Sequence, residues 1–429
     1  MKKHLNMFLA LVAATSLFLS ACGPSGVEVA ASDLKRVTNP DASPAELKEL
    51  VAGDNAFAFD LYQAMRTSDG NLFYSPYSIS LALAMTFGGA RGETASQMAE
   101  VLHYTLSNDR LHTVFNALDL DLAQRPEQAA NVDEDQRFAL NIVNSLWGQT
   151  GWPFMPEYLD LLALNYGAGM RLVDFQNTPE NARRQINDWV SDQTNKRIKD
   201  IIPPGTLDPT TRLALANAIY FKATWEYEFD PKETSDGPFH LLGNETVNTS
   251  MMGMEKWQNF AYASGNGWQA VALPYKGSLT EMMIIVPDTG NFEAFESTLA
   301  ADTYEEILAA LEPQKVILSM PKFTFETLYG LSDLLIRMGM KDAFDLSLAD
   351  FSGMDGQRII YIGDALHKAF VAVNEKGTEA AAATVVIMGM GSLLQHGIVL
   401  TIDRPFLFFI RDVPTGSILF MGRVVDPTE

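Results

Sequence analysis

An α+β fold with mostly antiparallel sheets is predicted by three features of this 429-residue sequence. Apolar residues recur at helical spacing through the first half, as in Leu47, Leu50, Phe57, Leu61 and Met65. From about Arg212 the pattern becomes alternation: in "RLALANAIYFKATWEYEF", Leu213, Leu215, Asn217, Ile219 and Phe221 share one face. No internal repeat or long low-complexity tract is present. Helices first and many strands later separate this chain from the regular strand–helix alternation of parallel-sheet proteins.

The first segment reads as a targeting signal. Lys2 and Lys3 precede an apolar run, Met7 to Leu19, too short to span a bilayer as a mature helix. It ends in Leu19-Ser20-Ala21-Cys22, which resembles a bacterial lipobox, with Cys22 the only cysteine of the chain. Residues 1–21 are thus expected to be a lipoprotein signal peptide and Cys22 a lipidated first residue, anchoring an exported protein at the bacterial cell envelope. Lipidation would consume the only thiol and leave no disulfide. Residues 22–42, small, polar and Pro-containing, read as a flexible tether. Gly23 after the cysteine is compatible with outer-membrane sorting in a cell with two membranes.

A single domain is expected over 43–429, because no break in composition follows. Ser43-Pro44-Ala45-Glu46 is a capping box with Pro at the first helical position. "SPYSISLALAMTFGG" is apolar all round and should form a buried helix. Helical patterns continue to "ARRQINDWVSDQTNKRIKDII". Strands are expected in "QAVALPY", "EMMIIVP", "KVILSMPKFTF", "HKAFVAVN", "IVLTID", "PFLFFIRD" and "ILFMGRVV".

Composition excludes several functions. The formal charge is −22; removing Met1 to Ala21 takes away two lysines and no acid, giving about −24 (29 basic against 53 acidic). Nucleic acid and heparin-like polyanions are therefore not expected partners, and the stretch "QRPEQAANVDEDQ" is itself acidic. The six histidines (His4, His103, His112, His240, His367, His396) show no tight metal spacing. No GxSxG elbow, GxGxxG turn or phosphate-binding loop occurs. No metal, cofactor or catalytic residue is expected, and a hydrolase is the most remote of the readings. Ser75, Ser78, Asn217 and His367 stand in apolar surroundings and read as a satisfied core hydrogen-bond cluster, in a place where a sheet could open.

"HKAFVAVNEKGTEAAAATVV", followed by "IDRPFLFFIRD" and "ILFMGRVVDPT", resembles the hinge, reactive loop and closing strands of the serpin family. "NLFYSPYSISLALAMTFGGARGET", "INDWVSDQTNKRIKDII", "LALANAIYFKATWEYEFDP", "PKFTFE" and "DFSGM" fall in that family's order, and the likeness covers Ala45 to Glu429. The resemblance implies helices around three mostly antiparallel sheets, a metastable native state and an exposed loop at about 375–400. It implies a monomeric suicide inhibitor: a target serine protease, or a papain-like cysteine protease, cuts the loop, is acylated, and is carried away as the loop inserts into the central sheet. The alternative is a non-inhibitory relative acting as a surface binding protein.

Residue roles follow from the resemblance. Glu375, Gly377, Thr378, Ala380, Ala382 and Thr384 match the hinge. At a period of two, Thr378, Ala380, Ala382, Thr384 and Val386 would face the core, and all are small or modest enough to slide into a closed sheet. Non-inhibitory members usually carry bulky or charged residues there, which favours the inhibitor. Ser75, Ser78, Asn217 and His367 match the "shutter", Trp225 and Lys322 the "breach", and Lys322 with Glu375 a salt-bridged pair. The reactive bond stays open among Met390-Gly391, Gly391-Ser392, Leu393-Leu394 and Leu394-Gln395. Met or Leu would suit elastase-, chymotrypsin- or subtilisin-like enzymes. No Arg or Lys stands between Lys376 and Arg404, so trypsin-like targets are not expected. Anchor and bait loop together point to protection of a bacterial surface from proteases.

Overall fold

The computed structural model describes residues 27–378 and 397–429, except 130, 131, 134, 135 and 244. Chain order is β1 (Glu28–Ala30), α1 (Pro44–Met65), β2 (Leu72–Tyr74), α2 (Pro76–Phe87), α3 (Gly92–Val101) and α4 (Asn108–Gln128). There follow β3 (Ala139–Gln149), α5 (Pro156–Tyr166), β4 (Met170–Val173), α6 (Pro179–Gln193) and β5 (Leu213–Thr224). The strand-rich half contains β6 (Asp230–His240), β7 (Thr246–Gly253), β8 (Gln258–Gly265), β9 (Trp268–Pro274), β10 (Thr280–Pro287) and β11 (Glu312–Pro321). It closes with β12 (Phe323–Gly330), β13 (Ile362–Asn374), β14 (Gly377–Thr378), β15 (Ile398–Thr401), β16 (Phe406–Asp412) and β17 (Ile418–Val424).

Local chemistry starts the helices where the sequence places them. Ser43 caps α1, its backbone N–H donating to Glu46 Oε2 at 2.9 Å while the Glu46 N–H donates to Ser43 Oγ at 3.3 Å. Every residue of α2 is buried, because the helix is apolar all round and lies under both sheets. Inside the α1–α2 contact Asp54 is buried; Ser80 donates to its Oδ1 at 2.6 Å, and Oδ2 has no partner. Burial pushes this carboxyl from 3.8 up to about 7, against the Ser80 hydrogen bond. The folded state therefore holds a proton that the unfolded chain releases, so its share of stability is full below about pH 4. That share is lost as pH rises toward 7. Asp54→Asn is expected to remove this slope and to be more stable than wild type at pH 8 by on the order of a few kcal/mol. Urea unfolding of both proteins from pH 4.5 to 8 checks it.

The first sheet has seven strands in the order β1-β4-β3-β5-β14-β13-β12. β5 is antiparallel to β3 but parallel to β13, pairing directly from Ile362↔Leu213 to Ala369↔Ile219. Both faces of β5 are covered, beyond the one-sided alternation predicted. Leu213, Leu215, Ile219 and Phe221 join the main core. Ala214, Ala216 and Ala218 make a second core with Ile186, Trp189 and Val190 of α6. Small residues on that face let the helix lie close.

The second sheet runs β2-β17-β16-β10-β9-β8-β11-β7-β6, with β15 parallel to β11, ten strands in all. The β8–β9 and β8–β11 ladders are continuous, so two of the three expected sheets share one hydrogen-bonded layer. "KVILSMPKFTF", read as one strand, is two: β11 ends at Pro321 in the second sheet and β12 begins at Phe323 in the first. Pro321 has no N–H to continue a ladder, and Lys322 turns the corner, its N–H donating to Ser250 O at 2.9 Å.

The tether expected over 22–42 is corrected from residue 27 onward. Glu28, Val29 and Ala30 pair antiparallel with Leu172, Arg171 and Met170. Ser32 Oγ donates to Asp160 at 2.5 Å, and Arg36 donates to Asn116 at 2.8 Å and Asp119 at 2.6 Å. The short strand β4 leaves an edge open, and three residues are too few to announce a strand by alternation.

Among the described residues, no helix is long and apolar enough to cross a membrane. No group of three or more His, Cys, Asp or Glu there could hold a metal ion.

Candidate functional site

The β5–β13 ladder carries a polar cluster in its middle. His367 and Asn217 are direct partners across it, and His367 Nδ1 bonds Asn217 Oδ1. The N–H of Ser75, N-cap of α2, donates to His367 Nε2 at 3.1 Å. Nε2 therefore accepts and Nδ1 carries the proton, which is the neutral form; full burial pushes the imidazole down to about 3. Asn217 Nδ2 donates to Ser78 Oγ at 2.7 Å and Ser78 O at 2.8 Å. Ser75 Oγ donates to Leu419 O at 2.6 Å, tying the first sheet to the second. The structure thus brings Ser75, Ser78, Asn217 and His367 into one network.

A fifth member escaped the sequence reading. Asn144 on β3 is the cross-strand partner of Asn217; its Oδ1 accepts from Asn217 Nδ2 and its Nδ2 donates to Ser78 O at 3.2 Å. Its only signal was a polar residue in "ALNIVNSLW", which needs the register of β3 on β5 before it means anything.

At the upper end of the ladder the two strands stand apart and a third lies between them. In β14, Gly377 and Thr378 pair antiparallel with Thr224 and Ala223 on one side and with Asn374 and Val373 on the other. The start of the predicted hinge is therefore already a strand. Thr378 is buried, its hydroxyl 2.7 Å from Tyr275 Oη. Gly377 has φ +152°, and a Cβ there would come within 2.0 Å of Ala223 O. Only glycine fits. Gly377→Ala is expected to cost about 2 kcal/mol and to free the Thr378 N–H, read by hydrogen exchange at residues 377–378 and by urea unfolding.

Around this entrance, Trp225 stacks on Tyr275 at 4.5 Å. Its Nε1 donates to Asn374 O at 3.0 Å and its N–H to Lys376 O at 2.9 Å. Lys322 Nζ lies 2.5 Å from Glu375 Oε1, to which Thr234 also donates at 2.8 Å. Burial works to raise the Glu375 carboxyl, but the Lys322 contact and these hydrogen bonds hold it below the usual carboxylate range. Lys376 pairs with Glu228 at 2.7 Å. Tyr275 and Thr234 had no sequence signal, because neither stands near the hinge along the chain.

Cys22, Ala380, Ala382, Thr384, Met390, Gly391, Ser392, Leu393 and Leu394 lie outside the described residues. The chain resumes at Gly397 and enters β15.

The central sheet thus carries a short antiparallel strand between two otherwise parallel neighbours, above the polar cluster. The family model described as "Serpin (serine protease inhibitor)" matches residues 52–427. A serpin-like protein of Thermococcus kodakarensis is 42% identical over 384 residues, covering 89% of this chain and 87% of that protein. The human leukocyte elastase inhibitor is 37% identical over 393 residues, covering 89% and 100%. The solved native state of the thermophilic serpin tengpin superposes with TM-score 0.81 at 26% identity, covering 93% and 99%. The chain belongs to the serpin family.

Proposed function

We propose that this protein is a suicide inhibitor of extracellular serine proteases of the elastase, chymotrypsin or subtilisin type, monomeric and held at the cell envelope by a lipid on Cys22. The observation that carries the reading is β14, seated antiparallel between parallel β5 and β13. Antiparallel pairing is slightly the stronger kind. Further insertion replaces one parallel ladder by two antiparallel ones.

Continued along the β14 register, the loop would meet partners in a fixed order. Thr378 opposes Ala223 and Val373, so Ala380 would meet Phe221 and Val371, and Ala382 would meet Ile219 and Ala369. Thr384 would arrive between Asn217 and His367, where a hydroxyl can take over hydrogen bonds that parting strands release. β5 begins at Leu213, so it offers partners as far as residue 388. A cut among the bonds from Met390 to Gln395 leaves the acylated residue just past the end of the inserted strand. Insertion of about ten residues adds on the order of 10 kcal/mol in backbone hydrogen bonds, which makes the step one-way. The target's own serine supplies the nucleophile. It forms an ester at the scissile carbonyl and releases the C-terminal peptide as the amine. This protein supplies the spring.

The test mixes the full-length chain with elastase, chymotrypsin, subtilisin and trypsin, followed by denaturing gels and intact mass. A denaturant-resistant adduct with the first three, plus a released peptide starting at one of residues 391–395, is expected. Free turnover of every protease that cuts the loop would defeat the inhibitor reading. Cutting with no rise in unfolding temperature would favour a binding protein instead.

A further inference from the structure

The flank of the first sheet holds a feature the trapping mechanism does not use. A cavity of about 680 Å³ is bounded by residues 29–36, the C-terminal end of α5, α6 and the outer edge of β3. β3 pairs with β5 from Ala139 to Gly148 on one side, but with β4 only at Trp147–Gln149 on the other. Among the described residues, Asn141 to Leu146 therefore turn an unpaired strand edge, about 20 Å long, into the cavity. Such an edge is a template for another strand.

The lining is selective in charge. Its charged side chains are Lys35, Arg36 and Arg171, all cationic, in a chain with 53 acidic and 31 basic residues. Arg36 is matched by Asp119 at 2.6 Å. Arg171 is different: its guanidinium lies 4.0 Å above Trp189 and 5.7 Å from Trp147. No carboxylate pairs with it among the described residues, and Lys35 stands exposed at the rim. A half-buried cation resting on Trp189, with Trp147 edge-on beside it, can receive a carboxylate from outside the fold. Asn144, in the same wall, bonds Ser78 and Asn217 of the polar cluster.

We propose that this cavity is a binding site for an extended acidic peptide of a partner protein, which adds as a strand to the edge of β3 and places a carboxylate on Arg171. Bound there, it braces β3 and Asn144 against the movement that parts β5 from β13, and so slows loop insertion. This last consequence rests on the inhibitor reading; binding itself does not.

The probe is the peptide acetyl-Thr-Val-Glu-Val-Thr-amide, titrated calorimetrically into the full-length chain. Arg171→Gln, or Gln for Glu in the peptide, is expected to weaken binding at least tenfold, and Lys35→Gln two- to threefold. Methylating the nitrogens of both valines and of the glutamate between them, which blocks both edges of the peptide strand, should abolish it. If Arg171→Gln does not fold, the peptide variants and Lys35→Gln carry the test. No binding to wild type overturns the proposal. So does binding that survives Arg171→Gln with a raised unfolding temperature, which marks uptake between β5 and β13. With peptide bound, adduct formation with the target protease should slow at least threefold; an unchanged rate with intact binding overturns the regulatory part. Absence of adduct without peptide reflects on the inhibitor reading alone, since the binding isotherm is independent of it.

Discussion

Thr378→Arg is expected to turn the protein from a trap into a substrate. The adduct should fall from the main product to under a tenth of cleavage events, and the cut protein should show no rise in unfolding temperature. Thr378 is buried with its hydroxyl on Tyr275 Oη, its backbone paired with Ala223 and Val373. Thr378 is already seated between β5 and β13, so on the proposed mechanism any further insertion would be built on this residue. A guanidinium there would be desolvated with no carboxylate to receive it, a cost of several kcal/mol. The loop would be expelled while remaining accessible to the protease, whose acyl-enzyme then hydrolyses before the strand can enter. Denaturing gels with elastase, and thermal unfolding of the cut protein, give the answer. A full yield of adduct from this variant would show that insertion does not begin at β14.

The second large effect is expected at Asn217. Asn217→Leu keeps the approximate volume but leaves the His367 Nδ1 proton without its partner across the ladder, while the Ser78 hydroxyl keeps only its bond to Asn144 Oδ1 at 3.3 Å. A buried polar group left unsatisfied costs about 1–3 kcal/mol, so a native-state loss of about 1–3 kcal/mol is expected by urea unfolding at pH 7.5. The same change weakens the pairing that holds β5 on β13. Uncleaved protein should therefore pass on mild warming into a form resistant to proteolysis in the loop. Because burial already keeps His367 neutral, its value being about 3, the difference between this variant and wild type should be independent of pH between 5 and 8. A midpoint within 0.5 kcal/mol of wild type would mean that Ser75, Ser78 and Asn144 hold the cluster without Asn217.

The alternation in β5, the all-round apolarity of α2 and the capping box at Ser43 are local patterns, set by which neighbours along the chain share a face or a turn. Such patterns announce themselves in one dimension, and the elements they predict are present. The polar residues Ser75, Ser78, Asn217 and His367 were conspicuous for the same reason, standing in runs that are otherwise apolar. Asn144, Tyr275 and Thr234 were not. Each matters only through a partner far away in sequence, and nothing along the chain says that β3 will be read against β5 with Asn144 opposite Asn217. The folding of Glu28–Ala30 onto β4 was likewise invisible, since it depends on an edge created by another strand. So was the seating of Gly377 and Thr378 between β5 and β13.

By itself the sequence determined the helices, most strands, the net charge and the small side chains of the hinge. Those depend on propensity, periodicity and composition. Only the tertiary structure decided that the hinge starts as a strand in the sheet, that the polar cluster joins β3, β5, β13 and α2, and that Arg171, with no carboxylate on it among the described residues, lines a cavity beside β3. Registry, burial and charge pairing are relations between distant residues, and they acquire an energy only when folding brings their members within a few ångströms.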